Sequence, residues 1–458
     1  MRILYISYLH PSVTPGGAQQ VAFELYQASL RRNHEAFFIA ALEPHHEQAY
    51  GKPGAPIVPV QGETRQYFYF PQRYDFLHLS TGDLRACEFL RELVEQLAPD
   101  VIHFHHYHRV GVESIRAARL GAPRAVICLT FHEMMAICMA DGQMVKKHTR
   151  ELCRESSALA CNKCFPDLRP EFVTLRAARL KAMLNECDVF IFPTEFLAER
   201  YLDWGLASEK CIVVPNGQVN LGTQFDRTQH SRALNRFGFF GQFIDNKGVD
   251  IILDALLVLA HEQRLPAAGV VIEINGGNKH YATPEYMEKI ARKIEDLKKF
   301  QTNKIEVIDR GSYGRDQLPE RMSTIDWVLV PSTWWEIFGL VVSEAWMFGR
   351  PVIASAIAGL KERVIPGVNG FTFPARDSRA LADLMASLVG DEQQWTAVNR
   401  SIEQPMTEIE MLEAHEGVWE EFAAKRPSAP VSSEPKPEPA ATAVTEKRRT
   451  SKRISVRT

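Results

Sequence analysis

The sequence lacks any long hydrophobic run. Nothing in its 458 residues approaches the ~18 apolar residues of a membrane-crossing helix. The apolar opening, residues 1–8, is too short for a signal peptide and stops at His10-Pro11. A cytoplasmic location is therefore expected. Charge of one sign is missing too: 53 Lys and Arg stand against 56 Asp and Glu, a formal net charge of −3. That balance gives no electrostatic ground for a nucleic-acid partner. Eight cysteines over this length do not make a disulfide scaffold. No G-x-G-x-x-G follows the first apolar run, so a dinucleotide site is not expected. No Asp-x-Asp offers to hold a catalytic divalent ion, and no internal repeat is evident.

What is present is strand–helix alternation. Short apolar runs at 2–7, 36–40, 100–104, 124–130, 188–192 and 211–214 alternate with amphipathic helical segments, and a second series begins at 236. This is the pattern of two successive parallel α/β blocks. The polar stretch around 217–235 reads as a hinge between them.

The most informative segment is 327–349. Trp327 to Val330 reads as a buried strand, Pro331-Ser332 ends it, and helical spacing runs on to Phe348, with Gly349 and Pro351 as stop signals. A helix starting near Phe338-Gly339 presents free N–H groups and the positive end of its dipole, which favour an anion. Glu336 precedes this tip and Glu344 lies about one turn inside. Carboxylates would repel a phosphate, so each glutamate is suited to hydroxyl groups. The implied ligand is a sugar joined to a nucleoside through phosphate.

Glu336 and Glu344, with Ile337-Phe338-Gly339-Leu340 and Gly349-Arg350-Pro351-Val352 around them, resemble the E-x7-E signature of the retaining glycosyltransferase family 4. The resemblance implies an α/β fold of the GT-B type: two Rossmann-like, doubly wound domains facing a cleft. It implies an acceptor-side domain at 1–222, a nucleotide-sugar-binding domain at 235–402 and a helix at 403–424 returning to the first domain. In that family the first glutamate meets the donor sugar, the second holds the ribose, and the backbone between them binds diphosphate.

Further positions follow from the same resemblance. Gly17, of the Gly16-Gly17 pair, belongs to a loop facing the reaction site. His132, in Phe131-His132-Glu133, matches a His-Asp pair whose histidine lies against the donor sugar; Glu133 here replaces the aspartate. Phe240-Gly241-Gln242 through Lys247-Gly248 forms a diphosphate cradle. The family usually has Gly-Arg where Gly241-Gln242 stands, so Lys247 is left as the main cation. Gly311 belongs to a loop beside the nucleobase. The family's Gly-Gly-x-x-Glu is written Ala358-Gly359-Leu360-Lys361-Glu362.

Cys138, Cys153, Cys161 and Cys164 fall in an insertion at about 138–165, and the last two form a C-x2-C pair. Four thiols in a stretch of little apolar content suit a structural zinc that would order the loop. An iron–sulfur cluster or reduced thiols stay open. A related set of glycosyltransferases resembles this arrangement. His103 and His105 share one strand face, as metal ligands might be spaced, yet the family carries histidine there without metal. The aromatic run 66–76, with Arg65 and Arg73, fits a packed loop, or else an acceptor or lipid contact at the inner face of a membrane. From 425 to 458 the composition is that of a disordered tail.

The implied reaction is transfer of a hexose-type sugar from a UDP- or GDP-sugar to a saccharide or lipid-linked acceptor, in bacterial surface polysaccharide or glycolipid synthesis. It proceeds with retention and needs no cofactor. A nucleotide-sugar epimerase, a sugar phosphorylase or a non-catalytic sugar-nucleotide-binding protein stays open; no lysine stands out for the pyridoxal that a phosphorylase requires.

Overall fold

The apolar runs assemble into two sheets in the computed structural model, which describes residues 1–52, 54–222, 225–277 and 279–426. The first sheet has eight strands: β1 (Arg2–Tyr8), β2 (Glu35–Ala41), β3 (Ile57–Pro59), β4 (Gln66–Tyr69), β5 (Val101–Phe104), β6 (Val126–Thr130), β7 (Val189–Phe192) and β8 (Cys211–Val213). Their order is β3-β4-β2-β1-β5-β6-β7-β8, all parallel except the β3–β4 pair. β1 is central, with Ile3 to Ile6 fully buried, because helices cover both faces of a parallel sheet. Strands β3 and β4 lie between the apolar runs at 36–40 and 100–104. Phe68, Tyr69 and Phe70 are buried there, so the aromatic run is largely packing.

The second sheet is wholly parallel. Its strands are β9 (Arg236–Gln242), β10 (Val270–Gly277), β11 (Ile305–Gly311), β12 (Trp327–Val330), β13 (Val352–Ser355) and β14 (Gly370–Phe373), in the order β11-β10-β9-β12-β13-β14. Strand order reverses between β1 and β5 in one sheet and between β9 and β12 in the other. Loops leaving the carboxyl ends of strands diverge at such a reversal and leave a crevice.

The domains are tied together at several points. Helix Glu408–Ala424 packs against helix Gly17–Arg31, placing Met411, Leu412 and Trp419 in the first domain's core. The Glu362 carboxylate accepts from the backbone N–H of Glu195 (3.0 Å) and Phe196 (3.1 Å), capping a first-domain helix from the second domain. Arg315 pairs with Glu24 across the cleft. No helix among the described residues is long and apolar enough to cross a membrane. Residues 427–458, nearly all of the expected disordered tail, lie outside the described residues.

Candidate functional site

At the β9/β12 reversal two loops meet. One leaves β9 and runs through Asp245–Lys247 to Gly248; the other leaves β12 and runs from Pro331 to Gly339. Their backbones touch. Gly248 has φ 75°, and a Cβ there would collide with the Pro331 carbonyl, so only glycine allows the approach. The contact brings Lys247 beside Glu336, with Nζ 2.6 Å from Oε2.

Glu336 is buried, with 8 % of its surface exposed. Its Oε2 also accepts from Ser332 Oγ (2.9 Å) and Trp334 Nε1 (3.1 Å). Burial pushes its pKa up, but Lys247 and these donors outweigh that and hold it below the usual carboxylate range. Oε1 takes no donor among the described residues and is not sealed off. One oxygen is thus fixed by protein and the other is available to a ligand hydroxyl. Lys247 is the cation expected of the diphosphate cradle. Here it pairs with the first glutamate of the signature, because an isolated carboxylate at this depth would be costly.

Gly339, with φ 71°, turns the chain into helix Leu340–Met347. The helix therefore starts a residue or two later than its sequence suggests. Arg363 holds this turn: Nη1 donates to the carbonyls of Phe338 (2.8 Å) and Gly339 (3.0 Å), and Nη2 to Ser343 Oγ (2.6 Å). Its guanidinium lies 3.6 Å from the Phe338 ring centroid. Nothing in the sequence pattern marks this arginine. Ala358 takes φ 47°, a left-handed conformation that the family's glycine would adopt without strain.

Glu344 sits on the same helix, and Arg315, Gln218 and Glu24 act on its charge. Burial raises its pKa and Arg315 opposes the rise. Gly311 ends β11, an edge strand, where it pairs with Asn275 of β10 and a Cβ would meet open space; Tyr313 and Arg315 of its loop interact with the Glu344 charge. Gln242 ends β9 with its side chain exposed and bonded to nothing among the described residues. Gly17 faces the helix tip from the opposite domain: a Cβ there would lie 3.2 Å from Leu340 Cδ1. The structure therefore gathers Gly17, Lys247, Glu336, Ile337, Phe338, Gly339, Leu340 and Glu344 along one seam. Gln242 and Gly311 stand at its rim.

His132 follows β6 on the first-domain side. Its Nε2 is 3.1 Å from His105 Nδ1, and the two rings stack. Burial pulls its pKa down to about 3, so it is a neutral imidazole. Glu133 does not share its position. The Glu133 carboxylate turns back onto the Met135 N–H, and burial pushes its pKa up to about 7. His103 bonds Thr130 Oγ1 at 2.7 Å.

The four cysteines line one small cavity with Ile137, Met144 and Phe165. The expectation that this insertion lacks a core is corrected: Ile137, Met139, Met144 and Val145 are buried. The thiolate donor set suits zinc. Among the described residues, however, no three His, Cys, Asp or Glu side chains are grouped as a metal site.

The fold and the seam define a two-domain protein of the GT-B type, and the sequence comparisons agree. Residues 15–218 match the model described as Glycosyltransferase Family 4, and residues 235–391 the model described as Glycosyl transferases group 1. With one match on each domain, the chain is similar to glycosyltransferases of the family-4 type over both halves. It is 26% identical over 401 residues to a D-inositol 3-phosphate glycosyltransferase of Xylanimonas cellulosilytica, covering 82% of this chain and 84% of that one. It is 30% identical over 305 residues to the protein of that name from Streptomyces avermitilis, covering 64% of this chain and only 58% of the relative. The fold is similar to that of Anabaena HepE in complex with UDP: TM-score 0.61, 18% identity, 92% of this chain and 100% of that chain.

Proposed function

We propose that the protein transfers a hexose-type sugar from a nucleotide-diphosphate sugar to a hydroxyl of a saccharide or lipid-linked acceptor, with retention at the anomeric carbon. The observation that carries this is the Lys247–Glu336 pair at the strand-order reversal, beside a helix tip with Glu344 one turn inside. An entering donor offers each partner a substitute. Its diphosphate takes the Lys247 ammonium and the amides at Leu340, and its sugar hydroxyl donates to Glu336 Oε1. Glu344 is placed for ribose hydroxyls.

In the reaction the bond from C1 to the phosphate oxygen breaks and a bond from C1 to the acceptor oxygen forms on the same face. The acceptor proton passes to the leaving phosphate oxygen. Lys247 and the helix tip stabilise the charge on the departing diphosphate. Neutral His132 orients the sugar from the opposite wall and moves no proton. The UDP in the Anabaena neighbour and the names of the curated relatives support a nucleotide-linked donor and a polyol or saccharide acceptor. A cytoplasmic location, with contact at the inner membrane face, fits a lipid-linked acceptor. Catalysis requires no metal on this reading, and zinc in the cysteine insertion would be structural.

The test is a thermal-shift screen of UDP-, GDP- and ADP-sugars, followed by product analysis with the best binder. Retained anomeric configuration in the product supports the reading. Acceptor-independent epimerisation of the donor, or no nucleotide-sugar binding at all, overturns it.

A further inference from the structure

The cysteine-bearing insertion does more than decorate the first domain. It crosses to the second domain and touches both loops of the seam, each at the residue next to the ion pair. Asn246, adjacent to Lys247, is buried at 8 % exposure. Its Nδ2 donates to Gln143 Oε1 (3.1 Å), and its Oδ1 accepts from Arg150 Nη2 (3.0 Å). Trp335, adjacent to Glu336, donates from Nε1 to the Cys153 carbonyl at 3.0 Å. Arg376 donates to the carbonyls of Arg150 (3.2 Å) and Thr333 (3.3 Å), tying the crossing segment to the second loop. The Thr333 N–H in turn donates to the Asn246 carbonyl (2.9 Å).

Apolar packing runs the same way. Leu152 packs against a core cluster of the second domain, and Ile337 against one of the first. Trp335 packs against both. The exposed Arg150–Asp245 ion pair adds little. The weight lies on the buried Asn246 amide and on Trp335.

We propose that residues 138–155 form a positioning strap. From the opposite domain the strap fixes the backbone on either side of Lys247 and Glu336, and so sets their separation for the donor. The strap rests on the donor-binding reading above. Its residues act through the two loops and touch no reacting atom. The cysteine cavity behind the strap is then the base from which it reaches over.

Two variants of the full chain test this. Gln143→Ala with Arg150→Ala strips Asn246 of both side-chain partners. Trp335→Phe keeps an aromatic ring beside Phe196, 5.2 Å away, and removes the indole N–H together with part of the ring's packing. Amide hydrogen exchange without ligand reports residues 243–248 and 331–339 directly. Expected are faster exchange in both loops, a melting temperature near wild type, and UDP bound about 5- to 10-fold more weakly, the loss of one or two hydrogen bonds. The donor KM should rise more than kcat falls, and Arg150→Lys in place of Arg150→Ala should recover part of the affinity. Unchanged exchange in both loops overturns the strap. If the double variant does not fold, Trp335→Phe alone decides. A wild-type protein that binds no nucleotide sugar overturns the donor reading instead, while loop exchange still judges the strap.

Discussion

Lys247 Nζ and Glu336 Oε2 stand 2.6 Å apart, each the other's counter-ion in the cleft. The pair makes the two single substitutions unequal. Glu336→Gln removes a charge but keeps an acceptor, and leaves Lys247 with a path to solvent. Lys247→Ala strands a buried carboxylate, whose cost is about 3–5 kcal/mol unless it takes up a proton. Both variants should lose about 10²-fold or more in kcat, and only Lys247→Ala should lose marked stability. The double variant Lys247→Met with Glu336→Gln should regain the stability and none of the turnover. Near-wild-type rates in both single variants would sink the assignment.

Arg363 gives a second test, because it acts only through the helix turn. Its planar fork reaches two carbonyls and a hydroxyl at once, which a lysine cannot reproduce. Arg363→Lys should weaken nucleotide-sugar binding several-fold while the Lys247–Glu336 pair still forms. Calorimetric titration with the donor checks it; unaltered affinity would mean that Gly339 and its neighbours hold the turn alone.

The contrast between these residues shows what the sequence could disclose. Glu336, Glu344 and Lys247 were legible because each belongs to a run whose period and stop signals place it at a strand end or helix start. The two α/β blocks were legible for the same reason: continuous apolar strands alternate with amphipathic helices. Arg363, Asn246 and Gln143 were not, since their partners lie at long sequence separation. No local pattern records that Asn246 meets Gln143. The insertion was misjudged because its apolar residues, Ile137, Met139, Met144 and Val145, follow neither period. The pairing of Lys247 with Glu336 was missed because charge balance at a buried site is a property of two loops together.

Buried histidines set the response to acid. Desolvation drives His106 and His415 down to about 4 and His108 and His132 to about 3, and His103 and His105 well below their ordinary value. In the unfolded chain each titrates near 6.5. Between those values the unfolded state binds more protons, so the stabilisation is present above pH ~6.5 and is lost as pH falls toward ~4. Glu133, raised to about 7, and Glu344, also raised by burial, work in the opposite sense, but they are two groups against six. The melting temperature should therefore fall steadily from about pH 7 to about pH 5. A flat profile over that window would show that the histidines are hydrated in solution.

The cysteine cavity yields the last prediction. Cys138, Cys153, Cys161 and Cys164 reach it from three chain segments, and only Cys161 and Cys164 share a helix, Ala158–Cys164. Buried apolar neighbours already order part of the loop, so a metal is not needed to collapse it. The least buried part is the path from Thr149 to Ser156, where no residue is fully buried and the strap must hold its shape. A zinc held by the four thiols would fix that path. Purified protein should then carry about one zinc per chain, and Cys161→Ser should lose it. The same variant should be cleaved faster by protease between residues 143 and 155, a readout independent of turnover. Metal-free protein with four freely reactive thiols at these positions would remove zinc from the account and leave apolar packing and the hydrogen bonds to the second domain as the strap's support.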